Sequence, residues 1–185
     1  MTVYIALLQG VNVGKHKRIA MADLKQIIID AGGEQTVTVA NSGNVVFAYR
    51  GSLTGEALRT TLEAAISDHV GMPVPIVLRS GAEMQSVVER NPYPDVSDPK
   101  CLHVEFLLES VPDALAGIEF GEDHLTASGS EIYLYAPNRM SGITYDAKAL
   151  YKRLGTHHTS RNWSTVTKVA ELAKGMTRTT SARLR

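Results

Sequence analysis

Cysteine is almost absent from this chain: Cys101 stands alone among 185 residues. No disulfide within the chain and no four-cysteine zinc cluster can form, and a reducing compartment suits such a composition. Aromatic residues are scarce as well, at 6%, with 3 Phe and 1 Trp. The Lys/Arg-Gly-Phe/Tyr-Gly/Ala-Phe run with which RNA-binding sheets stack bases has no counterpart, so nucleic acid is a weakly supported partner. No apolar stretch approaches the roughly 20 residues that cross a bilayer. The opening "MTVYIALLQG" shows neither the basic region nor the small-residue cleavage site of a signal peptide, so the expected location is the cytoplasm, with no membrane partner. Gly-x-Ser-x-Gly and His-Glu-x-x-His are missing too, which removes the enzyme classes tied to those motifs. His16, His69, His103 and His124 are scattered, and His157 and His158 are adjacent and point apart on any regular element. No metal and no cofactor is expected.

Net charge is zero, but it is unevenly spread. Residues 1–138 hold 9 Lys or Arg against 17 Asp or Glu, and residues 139–185 hold 10 against 2. A basic C-terminal quarter is suited to a phosphate or nucleic-acid partner. Equally, the acidic front and basic back would neutralise each other within the fold or across a dimer. With 44% hydrophobic residues the chain has enough apolar side chains for a sizeable core.

The pattern along the chain is mixed. Val3 to Gln9 is apolar on both faces and reads as a central strand. Met21 to Ala31 spaces Leu24, Ile27, Ile28 and Ala31 as a helix, stopped by Gly32 and Gly33. "TVTVANSGNVVFAY" reads as a hairpin around Ser42-Gly43-Asn44. A helix from about Thr54 to Val70 and a strand in "PVPIVLR", ending at Arg79, complete a β-α-β-β-α-β order, the ferredoxin-like plait. A short helix, Gly81 to Arg90, leads into "NPYPDVSDP", whose prolines mark a boundary. The order then begins again with the strand "CLHVEFLL", which Cys101 opens as a small buried residue. A turn and helix from Pro112 to Phe120 follow, then strands near His124–Ala127 and Glu131–Tyr135, and a helix from Asp146 to Leu154. A last helix, Asn162 to Lys174, buries Val166, Val169, Ala170 and Leu172. The tail "GMTRTTSARLR" has little to bury and is expected to be mobile. The fold class is therefore α+β: two ferredoxin-like alpha-beta plait subdomains, the second degenerate, with an extra C-terminal helix. The first spans residues 1–90 with its linker helix, the second residues 91–185 with the terminal helix and basic tail.

Three segments, "YIALLQGVNVGKHKRIAMADLK", "NSGNVVF" and "TSRNWSTVTKVAEL", with "NPYP" and "LHVEFLL" between them, together resemble the bacterial domain of unknown function 1697 family. The resemblance covers nearly the whole chain and implies a pair of alpha-beta plait subdomains. It brings no assigned chemistry with it. Gln9 stands where that family generally has Arg, and Lys15 where a second glycine is common.

Two stretches stand out chemically. In "ALLQGVNVGKHKR" the spacing of Gly10 and Gly14 and the His16 after Lys15 exclude a Walker A loop. A looser reading keeps Gly10 and Gly14 for a sharp turn, Asn12 for an amide, and Lys15, Lys17 and Arg18 for positive potential. In "TSRNWST", Ser160 or Asn162 would cap the last helix, placing Arg161 at its positive end, where a cation is disfavoured. Glu105 or Asp146 would then balance it from inside, or an external anion would. Trp163 reads as an anchor of that helix in the core. Ser42 and Asn44 add polar groups at the hairpin. The functional expectation is a binding module for an anionic, phosphate-bearing small molecule in a cleft between the subdomains, using Asn12, Gly14, Lys15, Ser42, Asn44, Arg161 and Asn162. The alternatives are a small-molecule enzyme in the same cleft, with Tyr145, His157 or His158 transferring protons, and a protein-interaction or dimerisation module.

Overall fold

Strand β1 (Thr2–Leu8) is buried at every position after Thr2, as a run that is apolar on both faces must be. The computed structural model describes residues 1–14 and 17–183, with side chains through residue 177. The chain divides into two compact units, Met1–Val88 together with the chain from Thr167 onward, and Glu89–Val166.

In the first unit, α1 (Met21–Asp30), β2 (Gly33–Val39), β3 (Asn44–Tyr49), α2 (Gly55–Val70) and β4 (Ile76–Ser80) follow β1. The sheet order is β2-β3-β1-β4 with every neighbouring pair antiparallel. This is the plait that the sequence predicts. Because side chains alternate along a strand, Tyr4, Ala6 and Leu8 share a face with Val45, Phe47, Tyr49 and Ile76. Leu24 and Ile28 of α1 and Leu58, Leu62 and Ile66 of α2 pack on that face. Gly71 ends α2 in the left-handed region at φ 77°. Helix α3 (Gly81–Glu89) begins directly after β4. From Thr167 on, the terminal helix belongs to this unit, and Ala173 lies beside Gly81 and Val3.

The second unit repeats the topology. β5 (Leu102–Leu107), β6 (His124–Ser128), β7 (Glu131–Tyr135), α4 (Ala147–Leu154) and β8 (His158–Asn162) form a sheet in the order β6-β7-β5-β8, equivalent position for position to the first. Three features differ from the sequence reading. The segment 112–120 holds turns and no helix, because Asp113 at φ 51° and Gly117 at φ 71° interrupt any helical run. The last strand of the plait, β8, is present where no strand is expected from the sequence. Helix α5 (Trp163–Arg183) also runs beyond Lys174 through most of the stretch expected to be mobile, with Met176 buried. Asp146 caps α4 by accepting from the Ala149 amide at 2.9 Å. Leu107, Leu125, Ile132, Leu134, Tyr145, Leu150 and Leu154 form this unit's core on the α4 side of the sheet. No described helix is long and apolar enough to cross a membrane.

The β2–β3 turn depends on one glycine. Gly43 sits at φ 72°, and a Cβ there would lie 2.5 Å from Val11 Cγ2 and 2.8 Å from Leu8 Cβ. Gly43→Ala should therefore cost about 3 kcal/mol from the left-handed backbone and the overpacking together. Thermal denaturation should show a Tm lower by about 10 °C; an unchanged Tm would mean that the turn adjusts freely.

Candidate functional site

The polar residues of the first unit work within their own loops. Asn12, at φ 56°, donates from Nδ2 to the carbonyls of Ile19 at 2.9 Å and Asn41 at 2.8 Å, and its Oδ1 accepts from the Ile19 amide at 3.1 Å. The side chain thus ties both ends of the β1–α1 loop to the hairpin. Gly14 turns the chain at φ 70°, and its carbonyl accepts from Arg18 at 3.3 Å. Asn44 is fully buried and donates to the Val39 carbonyl at 2.8 Å and to Ser42 Oγ at 3.0 Å. Lys15, like His16, lies outside the described residues. Asn12→Ala removes three hydrogen bonds to backbone groups, two of them partly buried, and should lower stability by about 2 kcal/mol, to be measured by urea denaturation.

Arg161 and Asn162 belong to the second unit. Asn162 caps α5, accepting from the Thr165 amide at 2.9 Å. Arg161 lies in β8 directly before that cap, opposite Val104 of β5. Its Nη1 donates to Thr159 Oγ1 at 2.6 Å and to the Ser160 carbonyl at 2.7 Å. Burial pulls the guanidinium down to about 10, with the Glu105 charge opposing. Neither carboxylate named as its internal partner bonds it, since Asp146 caps α4 and Glu105 is bonded elsewhere.

That bond of Glu105 is the centre of the most chemically organised cluster among the described residues. In the β5–β8 register Glu105 faces Ser160, Leu107 faces His158 and His103 faces Asn162. Strand alternation puts these six side chains on the α4 face, away from Arg161. The diagonal neighbours Glu105 and His158 meet, Oε1 to Nδ1, at 2.6 Å. The carboxylate side chain is 8% exposed and the imidazole 21%. Tyr151 of α4 stacks on the His158 ring at 4.6 Å and 18°, and its hydroxyl lies 3.5 Å from that of Tyr145. Tyr145 is placed by Asp123, whose Oδ2 accepts from the amides of Thr144 at 2.5 Å and Tyr145 at 2.9 Å. Burial pushes both phenols up. His103 Nδ1 and Ser160 Oγ are buried with no hydrogen-bond partner among the described residues.

Sequence reading names Glu105, Tyr145 and His158 separately and does not join them. The available signal is the alternation in "LHVEFLL": His103 and Glu105, two apart, place polar groups on one face of an otherwise apolar strand.

Burial holds the His103 imidazole below the usual histidine range, with the Glu105 carboxylate pulling the other way. The unfolded chain takes up this proton near pH 6.5 and the folded chain resists it, so the unfolded state binds more protons and stability falls as pH drops through about 6.5. His103→Leu should flatten this part of the profile, as read by urea denaturation at pH 7.5 and 5.5.

Among solved structures, a conserved bacterial protein from Streptococcus pneumoniae shares the fold with a TM-score of 0.77. It is 24% identical, and the match covers 94% of this chain and 99% of that one. No curated protein matches the chain. Residues 1–133 match the family described as protein of unknown function (DUF1697), and the chain belongs to that family.

Proposed function

We propose that the second unit performs proton transfer on a small molecule, with His158 as the group that takes and returns the proton. The observation that supports this best is the Glu105–His158 bond. A carboxylate that accepts from Nδ1–H selects the tautomer whose Nε2 carries a lone pair, and Nε2 bonds no described residue. Nε2 would accept a proton from an O–H or N–H of the bound molecule or of a water that attacks it. The imidazolium so formed is balanced by Glu105, and the same proton is delivered back in the second half of the cycle. Tyr145 and Tyr151, with phenols raised by burial, stay protonated at neutral pH and serve as O–H donors to negative charge that develops nearby.

Binding of an anionic, phosphate-bearing ligand is the other reading, resting on Asn12, Gly14, Lys15, Ser42, Asn44, Arg161 and Asn162. The amides of Asn12 and Asn44 already serve their own backbone, so the acid–base reading has the stronger support.

A generic acyl substrate, 4-nitrophenyl acetate, tests it. Positioned general-base groups contribute about 10²–10⁴-fold, so His158→Gln should remove turnover above buffer, and Glu105→Gln should lower it at least tenfold. His157→Gln, at the exposed neighbour, should leave it unchanged. A folded His158→Gln protein that keeps the wild-type rate would sink the reading.

A further inference from the structure

The segment "NPYPDVSDP", residues 91–99, lies inside the second unit. Pro92 and Pro94 fix their own φ and hold the residues before them extended. The loop is also bonded internally: the Tyr93 amide donates to Asn91 Oδ1 at 2.9 Å, the Lys100 amide to Asp98 Oδ1 at 2.9 Å, and the Cys101 amide to the Asp98 carbonyl at 2.9 Å. This stiff loop walls a cavity of about 470 Å³ within the second unit, floored by Cys101 and Tyr135. That is a volume typical of small-molecule sites.

Two tyrosines, Tyr93 and Tyr135, stand in its wall, and both are held in place. The Tyr93 hydroxyl is anchored to Thr126 Oγ1 at 2.8 Å. The Tyr93 and Tyr135 rings stand 5.9 Å apart at 44°, and Tyr135 is backed by His124, stacked at 5.6 Å and 11°. Its charge has one sign. Asp95 and Asp98 line the cavity, and no Lys, Arg or His does. Asp98 Oδ2 is paired with Arg139 at 2.9 Å, whereas Asp95 makes no ion pair with any described residue. One carboxylate without an ion pair to any described residue therefore lines the cavity beside the two tyrosines.

We infer that this cavity binds an organic ammonium ion, with the cation against the Tyr93 and Tyr135 rings and Asp95 as its counter-charge. Ring faces attract cations through their quadrupole, and the attraction strengthens as the site loses water. The weakly hydrated surface of an alkylated ammonium fits tyrosine walls better than a strongly hydrated metal ion does. This site is independent of the Glu105–His158 cluster, and its test reads binding alone.

Choline and its uncharged carbon analogue 3,3-dimethylbutan-1-ol have the same shape and separate charge from apolar fit. In amide NMR titrations choline should shift Val96, Cys101 and Tyr135 saturably, and the alcohol should not. Tyr93→Leu should abolish the shifts. Asp95→Asn, at an exposed position that folding does not need, should weaken binding about fivefold. Equal response to the two probes, no response to choline, or unchanged affinity in Asp95→Asn would each overturn the inference.

Discussion

A carboxylate on the helix-covered face of an antiparallel sheet has to find a hydrogen-bond donor or take up a proton, because leaving it ionised and alone costs several kcal/mol. In the second unit that carboxylate is Glu105, and what it meets is His158. The pairing constrains everything around it. A slip of β8 by one residue would turn His158 to the other face and leave Glu105 unmatched, so the register is held by this bond as well as by the apolar positions beside it. With His158 fixed, Tyr151 of α4 can lie flat on the imidazole. Tyr145, at the entry to α4, is fixed from the other side by Asp123.

The first plait was legible because its signals are apolar and local. β1 is a run buried on both faces, α1 and α2 repeat at helical intervals, and the β2–β3 turn announces itself through Gly43. Each of these follows from a few neighbouring residues. The second plait was legible where the same signals recur, at β5, β7 and α4, and illegible at β8. "HTSRN" has no apolar residue on either face, and its polar side chains resemble a loop leading to a helix cap. It is a strand because β5 offers a ladder on that edge and a partner for each face, information that lies 53 residues away for the Glu105–His158 pair. The segment 112–120 failed in the opposite sense: Ala114, Leu115 and Ala116 favour helix, but Asp113 and Gly117 adopt positive φ and break it.

The candidate site shows the same division. Single residues were visible as types able to do chemistry, and Tyr145 and His158 were singled out on that basis. Their assembly required a register that no periodicity encodes. The loop residues were visible for the converse reason. Asn12, Ser42 and Asn44 stand out as more polar than a turn needs, and the fold explains that polarity by local hydrogen bonds, the commonest use of Asn and Ser beside a turn.

β8 also explains why an arginine can be buried next to a strand of such mixed character. Arg161 points away from α4, and burial lowers its pKa to about 10, which still leaves it charged by roughly three pH units at neutrality. Thr159 and the Ser160 carbonyl accept from it. Glu105, on the neighbouring strand and facing the other way, opposes the loss of its proton through the sheet. One carboxylate in the middle of the sheet thus acts on both faces, by a direct bond to His158 and by its field on Arg161. The polar sequence of β8 follows from that placement: its side chains answer a charge on β5 where an ordinary strand would answer an apolar core.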